Sequence, residues 1–344
     1  MFPHLLRSFN PVRKQAGDNS GGLYHRAIID GNETYRIVGN RGSAKWFSIS
    51  VSAPQQNSPL PNQYGYKPVG EPLLGHQLKT QWDGSFIVTL SPDRHEGNWI
   101  KTTPEVRSVL IREFFADWAS EQPMLARLER VGHEAEAPPL MSPQRLLGAL
   151  GEVGEFIVTA TQFWPFGPPQ IKELGGSINK VHFHVRASTQ RDRSHDINAG
   201  GISGTCHWVL DEEQALILEF SRFEAAYWSF DLLTFWYTSM DYRYRHSSLN
   251  SRQARMDRDG KYRIVICARD PGIANWLDTS GWHEGFCEIR ANLAPAAPPI
   301  DVKVVPRAAV GEHLPSDTWR VTTAERAQIM AARAAGVTRR FRDY

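Results

Sequence analysis

The stretch from about residue 180 to 290 limits the possible folds most, because short alternating segments there are cut by turn residues. Val181-His-Phe-His-Val-Arg-Ala187 carries an apolar side chain at every second position. Residues 205–210, 215–220, 261–268 and 286–290 follow, bounded by Gly, Asp or Pro, with Asp259-Gly260 and Asp270-Pro-Gly272 as the sharpest breaks. A period of two gives a strand with one face in a core, and many short strands joined by tight turns build a sandwich or jelly roll.

The first half combines strands with helical spacing. Residues 34–38, Trp46-Phe-Ser-Ile-Ser-Val51 and residues 85–90 read as strands, and residues 54–75, rich in Pro, Gly, Asn and Gln, as a long loop. Thr103 before Pro104, with Val106, Leu110, Phe114 and Trp118 four apart, predicts a helix from 104 to 118 that stops before Pro123. Ser142-Pro143 opens a second helix with Leu146, Leu147, Leu150, Ile157 and Val158 as its apolar stripe, ending at Pro165. Its glycines 148, 151 and 154, three residues apart, permit close helix packing. Thr322 with Glu325 forms a capping box for a last helix with Ala327, Met330, Ala331, Ala334 and Phe341 on one side. The expected fold is α+β and mainly β: an antiparallel jelly-roll-like sandwich with flanking helices and a C-terminal helix. An arm spans 1–30, strands and a helical segment 31–175, the sandwich core 176–293, and a connector with the last helix 294–344.

Composition narrows function by exclusion. Among 344 residues, 39 are basic and 37 acidic, so the basic excess of a dedicated nucleic-acid binder is missing. No apolar run reaches the ~20 residues of a membrane-spanning helix. Met1-Phe-Pro-His-Leu-Leu-Arg lacks the pattern of a secretory signal, and cysteines 206, 267 and 287 are odd in number and widely spaced. The expectation is a cytoplasmic protein with reduced thiols and no nucleic-acid or membrane partner, with a homo-oligomer left open. No nucleophile elbow, P-loop, dinucleotide fingerprint or Cys-x-x-Cys occurs, so no cofactor is expected.

Several segments resemble one bacterial family. They are Tyr35-Arg36-Ile37 with Gly39-Asn-Arg-Gly42, Gly97-Asn98-Trp99, Phe115-Ala-Asp117-Trp118, Ala226-Tyr227-Trp228, Asp241-Tyr-Arg-Tyr-Arg245, Ser248-Leu-Asn250 and Arg269-Asp-Pro-Gly-Ile-Ala-Asn-Trp-Leu-Asp-Thr279. The family is the one known as domain of unknown function twelve-fourteen. The resemblance runs from about residue 30 to 290 and is most specific over 270–279. It implies a jelly-roll-like antiparallel sandwich with flanking helices and no particular activity. Members often read Gly-His after the Asp-Thr pair, whereas this chain reads Gly281-Trp282-His283, so any role of that histidine falls to His283 or to none.

Three clusters are candidate sites. His182 and His184 share one face of a strand and could grip a metal with His195 or His207, but no carboxylate follows closely, and alternation alone places two polar residues on a solvent face. No bound metal is expected. The second cluster, Tyr242, Arg243, Tyr244, Arg245 and Asn250, sets cationic forks beside aromatic faces, as a planar acid requires, although arginines pairing with acidic neighbours give the same composition. In the third, Asp270, Asn275, Trp276, Asp278 and His283 combine turn chemistry with the makings of a small-molecule site, where His283 would act as acid or base oriented by Asp278. The two function classes that follow are a protein that binds, or transforms by acid–base chemistry, a small, partly apolar or aromatic molecule, and a non-catalytic binding or scaffold protein. The ligand is placed between the second and third clusters.

Overall fold

The computed structural model describes residues 3–14, 17–54, 66–134, 136–137, 140–163, 176–185 and 201–342. Its first nine strands are β1 (Leu6–Arg7), β2 (Gly22–Ile28), β3 (Tyr35–Asn40), β4 (Trp46–Pro54), β5 (Tyr66–Leu74), β6 (Ser85–Ser91), β7 (Asn98–Lys101), β8 (Ser108–Phe114) and β9 (Leu125–Arg130). They form a sheet of order β1-β2-β8-β4-β5 and a second of order β7-β6-β3-β9. Alternation along β4 and β8 sends Phe47, Ile49, Val51, Val109 and Ile111 between these sheets, where they meet Ile37, Val88 and Leu90. This is the first sandwich.

The second is built from β10 (Val181–Val185), β11 (Gly201–Val209), β12 (Gln214–Ser221), β13 (Tyr227–Thr234), β14 (Ser248–Asn250), β15 (Lys261–Cys267), β16 (Trp276–Asp278), β17 (Glu284–Asn292) and β18 (Asp301–Pro306). A third sheet, β10-β11-β17-β13-β14, packs on a fourth, β16-β15-β12-β18. Trp208, Phe230, Cys287 and Ile289 from the third meet Leu216, Leu218, Phe220 and Ile264 from the fourth. Val181 and Phe183 pack on this core while His182 is exposed. Pairing is antiparallel except for β6–β7 and β15–β16. The antiparallel sandwich expected from the sequence is present, and it occurs twice.

The two sandwiches meet back to back through the first and third sheets. Phe114 on β8 stacks between Trp46 (centroids 4.7 Å apart) and Tyr227 of β13 (5.3 Å). Strand β8 is therefore covered on both faces, and all seven of its residues are buried. This corrects the helix expected over 104–118. Leu110 and Phe114, four apart, lie on one face of a strand as well as of a helix, and a strand buried on both sides loses the alternation that would tell the two apart.

Two long helices complete the described chain. Helix α1 (Pro143–Phe163) begins where the Ser142 hydroxyl accepts the Arg145 N–H at 3.2 Å. Helix α2 (Thr323–Arg340) has the expected capping box between Thr322 and Glu325. Its docking face differs from the alanine-rich one expected, for Ala327 and Ala331 are exposed while Arg326, Arg333 and Arg340, seven apart, are buried. Arg326 reaches Asp270 at 2.8 Å, Arg333 donates to the carbonyls of Tyr242 (2.7 Å) and Ser248 (3.1 Å), and Arg340 donates to the Ser20 carbonyl (2.5 Å). The rings of Trp118 and Phe115 lie against the Arg333 and Arg340 guanidiniums at 4.4–5.3 Å, so ring faces stand where counter-ions would be expected. The helix thus fastens both sandwiches.

Candidate functional site

One end of the second sandwich gathers part of the constellation expected from the sequence. Strand β16 ends at Asp278, and a four-residue turn reverses the chain into β17. Ser280 (φ 55°) and Gly281 (φ 82°) both take left-handed backbone there, and the Trp282 N–H closes on the Thr279 carbonyl at 3.0 Å. His283 follows, its carbonyl accepting the Leu210 N–H at 2.9 Å, so Asp278 and His283 lie at the same end. Across from them, the Asp241 carboxylate accepts the N–H groups of Arg243 (2.9 Å) and Tyr244 (3.1 Å), which coils residues 241–244 into a tight turn. The His246 carbonyl then accepts the Asp278 N–H at 3.0 Å, joining the two segments.

Arg245 extends from this junction and donates through Nη1 to Asp278 Oδ2 at 3.4 Å. The pair is asymmetric: the arginine side chain is 57% exposed and the aspartate 6%. Burial raises the Asp278 carboxyl above its ordinary value, opposed by the Ser280 N–H and by Arg245. The Nε and Nη2 groups of Arg245 have no partner among the described residues, and Tyr244 and Trp282 expose their rings nearby in the chain. The buried Trp276 donates its indole N–H to the Cys267 carbonyl at 3.0 Å and stacks on His246 (14° between planes). His246 bonds the Trp276 carbonyl through Nδ1, and burial drives its pKa well below the ordinary range.

Other expected residues are held elsewhere. Tyr242 is buried among Trp118, Val337 and Phe341. Arg243 donates to the Thr338 hydroxyl at 2.8 Å. Asn250 donates to the Phe115 carbonyl (3.1 Å) while its oxygen caps Arg252 and Gln253. Asn275 bonds the backbone of Arg255 in both directions and the Arg263 carbonyl. Asp270 is engaged by Arg326 and the Gly272 N–H. His283 Nδ1 faces the Leu210 carbonyl at 3.3 Å, and among the described residues no hydrogen bond joins it to Asp278. Strands β14 and β15 belong to different sheets, and Arg245 meets Asp278 at the end of β16. His207 pairs with Glu284 at 2.7 Å, while the side chain of His184 and all of His195 lie outside the described residues. Among the described residues no three His, Cys, Asp or Glu side chains group as metal ligands.

Sequence reading missed two features. The first is a buried polar layer on the back of the third sheet. Thr205 (2.8 Å) and Tyr237 (2.9 Å) donate to Glu288, Arg290 reaches Asp231 (3.4 Å), and Ser239 donates to Asp18 (2.6 Å). Asn19 and Ser20 bond Ser229 and Asp231, so the segment before β2 is locked onto the second sandwich. Thr205 and Glu288 fall in segments read as strands and Asp231 in none, and nothing local showed that the three face protein instead of water. The second is an open groove of about 420 Å³ at the opposite end of this sandwich, lined by Arg222, Phe223, Glu224 and Ala225, with the Phe223 ring packed on Phe220 and Trp228.

The model of the family described as protein of unknown function (DUF1214) matches residues 25–115 and 194–292, more than half of the chain. The chain belongs to that family, whose two matched segments fall on the two sandwiches. Among solved structures, an uncharacterized protein from Burkholderia cenocepacia is 26% identical, with a TM-score of 0.78 over 90% of this chain and 82% of that one. The VPA0106 protein from Vibrio parahaemolyticus, at 11% identity and a TM-score of 0.50 over 85% of this chain and 91% of that one, shares the fold alone. A search of curated proteins gives no match.

Proposed function

We propose that this protein binds a small organic acid with a planar, apolar body at the Arg245–Asp278 end of the second sandwich. The observation that carries the reading is the asymmetric pair: a buried carboxylate orients an exposed guanidinium and leaves its remaining N–H groups facing outward. Such a fork donates two parallel hydrogen bonds to a carboxylate, and the exposed Trp282 ring, with the face of Tyr244 that Arg243 leaves open, suits an aromatic body. Because His283 is turned to a backbone carbonyl and not to Asp278, the geometry favours binding without chemistry.

The groove beside Phe223 is a second location for the same class of ligand, since Arg222 and an aromatic ring line it together. Ligand-observed NMR with aryl carboxylates and their neutral amides separates the two. Binding of the acids is expected to weaken at least tenfold in Arg245→Ala, matching the loss of a charge-assisted hydrogen bond worth roughly 1.5–3 kcal/mol. A loss confined to Arg222→Ala would move the site to the groove, and equal binding of acids and amides would remove the arginine from the account.

A further inference from the structure

The two sandwiches repeat one plan. Raising each strand number of β1-β2-β8-β4-β5 by nine gives β10-β11-β17-β13-β14, and the same step turns β7-β6-β3-β9 into β16-β15-β12-β18. The two parallel pairs, β6–β7 and β15–β16, are counterparts as well. Nine strands can be ordered in two sheets in very many ways, so a shared order with a shared parallel exception marks one unit present twice.

The bonds that shape the frame repeat with it. Asn98 bonds the Lys79 backbone in both directions (2.8 Å each) and the Ile87 carbonyl (3.0 Å), as Asn275 bonds Arg255 and the Arg263 carbonyl. A tryptophan follows in both units: Trp99 donates its indole N–H to the Ser91 carbonyl at 3.1 Å, and Trp276 to the Cys267 carbonyl at 3.0 Å. Gln77 accepts the Leu74 N–H (2.9 Å) and Gln253 the Asn250 N–H (3.2 Å). Asp83-Gly84 and Asp259-Gly260 make the same turn, with φ 82° or less at neither end of dispute: both glycines stand at 81°, and each aspartate accepts the N–H two residues on. Such scattered pairs hide the repeat from a reading of the sequence.

With the units aligned in this way, the Arg245–Asp278 end has no twin. Asp278 lies beside Cys267 on β15 and Lys101 beside Ser91 on β6, so a lysine stands where the second unit has its carboxylate. Thr102 and Thr279 follow, donating their N–H groups to the Ser91 (3.0 Å) and Cys267 (3.4 Å) carbonyls. The turn after Thr102 is Thr103-Pro-Glu-Val106 and the turn after Thr279 is Ser280-Gly-Trp-His-Glu284, so Trp282 and His283 have no equivalents. Strand β5, the counterpart of β14 and the residues leading into it, contains no arginine. The groove's Arg222 does have a twin in Arg41, for their N–H groups donate to the Gly260 (3.1 Å) and Gly84 (2.9 Å) carbonyls.

We propose that the chain is a duplication of one nine-strand unit in which the second unit alone carries a ligand site, made by its departures from the shared frame: Arg245, Asp278, Trp282 and His283. The ligand part rests on the function proposed above. What the frame needs recurs in both units, because both solve the same packing problem. Burying a carboxylate costs free energy and a lysine serves at its counterpart, so the frame does not require Asp278. Trp282 and His283 are exposed, so the core does not require them either. By the same argument the recurring arginine of the groove belongs to the frame, which places the acid at the Arg245 end.

Thermal melts and ligand-observed NMR on the full chain test the two parts separately. Asn98→Ala and Asn275→Ala are each expected to lower the melting temperature, by amounts that agree within about 3 °C. The double variant Trp282→Ala/His283→Ala is expected to melt with the wild type and to bind aryl carboxylates roughly tenfold more weakly. A loss at one asparagine with none at the other would overturn the duplication whatever the protein binds. A double variant that melts as early as the asparagine variants, or that binds the acids like the wild type, would overturn the placing of the site. A wild type that binds no aryl carboxylate would remove the ligand reading and the role of these departures with it, while the asparagine pair still decides the duplication.

Discussion

Replacing Glu113 with Gln should make the protein more stable above neutral pH and change how its stability depends on pH. Glu113 stands on β8 with its side chain toward the core of the first sandwich and is fully buried. Its Oε1 accepts the Met124 N–H at 2.7 Å, and its Oε2 is enclosed without a hydrogen-bond partner. Burial pushes the carboxyl up from 4.5 to about 8, against the pull of the Met124 N–H, Arg41, Arg340 and Arg7. The folded chain therefore keeps a proton that the unfolded chain releases. The stabilisation is complete below about pH 4.5 and is lost as pH rises through about 8. Within that window the loss is about 1.4 kcal/mol per pH unit, or roughly 5 kcal/mol in all. Glutamine keeps the acceptor for Met124 and cannot ionise. Urea unfolding followed by tryptophan fluorescence at pH 5, 6, 7, 8 and 9 gives the stability of both proteins. The wild-type value minus the Glu113→Gln value is expected to fall with that slope between pH 5 and 8 and then level off. Parallel curves across the range would show that Glu113 is ionised in the fold and would refute the reasoning.

Arg333→Ala leaves two buried carbonyls without their donor and removes the stack on Trp118. It should cost ~3 kcal/mol or more, with faster hydrogen exchange and earlier proteolysis in α2 than elsewhere. Phe183→Ala should cost about 2 kcal/mol, because the ring packs on the second core while still partly exposed, whereas His182→Ala on the opposite face should stay within ~0.5 kcal/mol. Equal losses in thermal melts of these two variants would reverse the face assignment of β10.

Strands β12 and β15 were legible as short apolar runs between clear turns, although protein covers both their faces, and the α2 cap rests on two residues three apart. Strand β8, also covered on both faces, was not, because Leu110 and Phe114 fit helical spacing equally well and Thr103-Pro104 imitates a helix start. Ser48 and Ser50 alternate with the apolar residues of β4, yet the second sandwich stands behind their sheet and both are buried. The docking face of α2 was hidden by residue type, since apolar periodicity selects the alanines while three arginines reach backbone carbonyls, a carboxylate and aromatic rings. At the candidate site, the Asp278–Ser280–Gly281 turn was local and legible. The Arg245–Asp278 contact joins residues 33 apart and depends on β16 pairing parallel to β15, which no local pattern encodes.

A crystal structure of the protein with the tightest-binding aryl carboxylate tests the central claim most directly. The account predicts the ligand carboxylate within hydrogen-bond distance of Arg245 Nε and Nη2, with its ring against Tyr244 or Trp282 and Asp278 still on Nη1. A carboxylate bound beside Arg222 and Phe223, or a ligand that leaves Arg245 untouched, would contradict it.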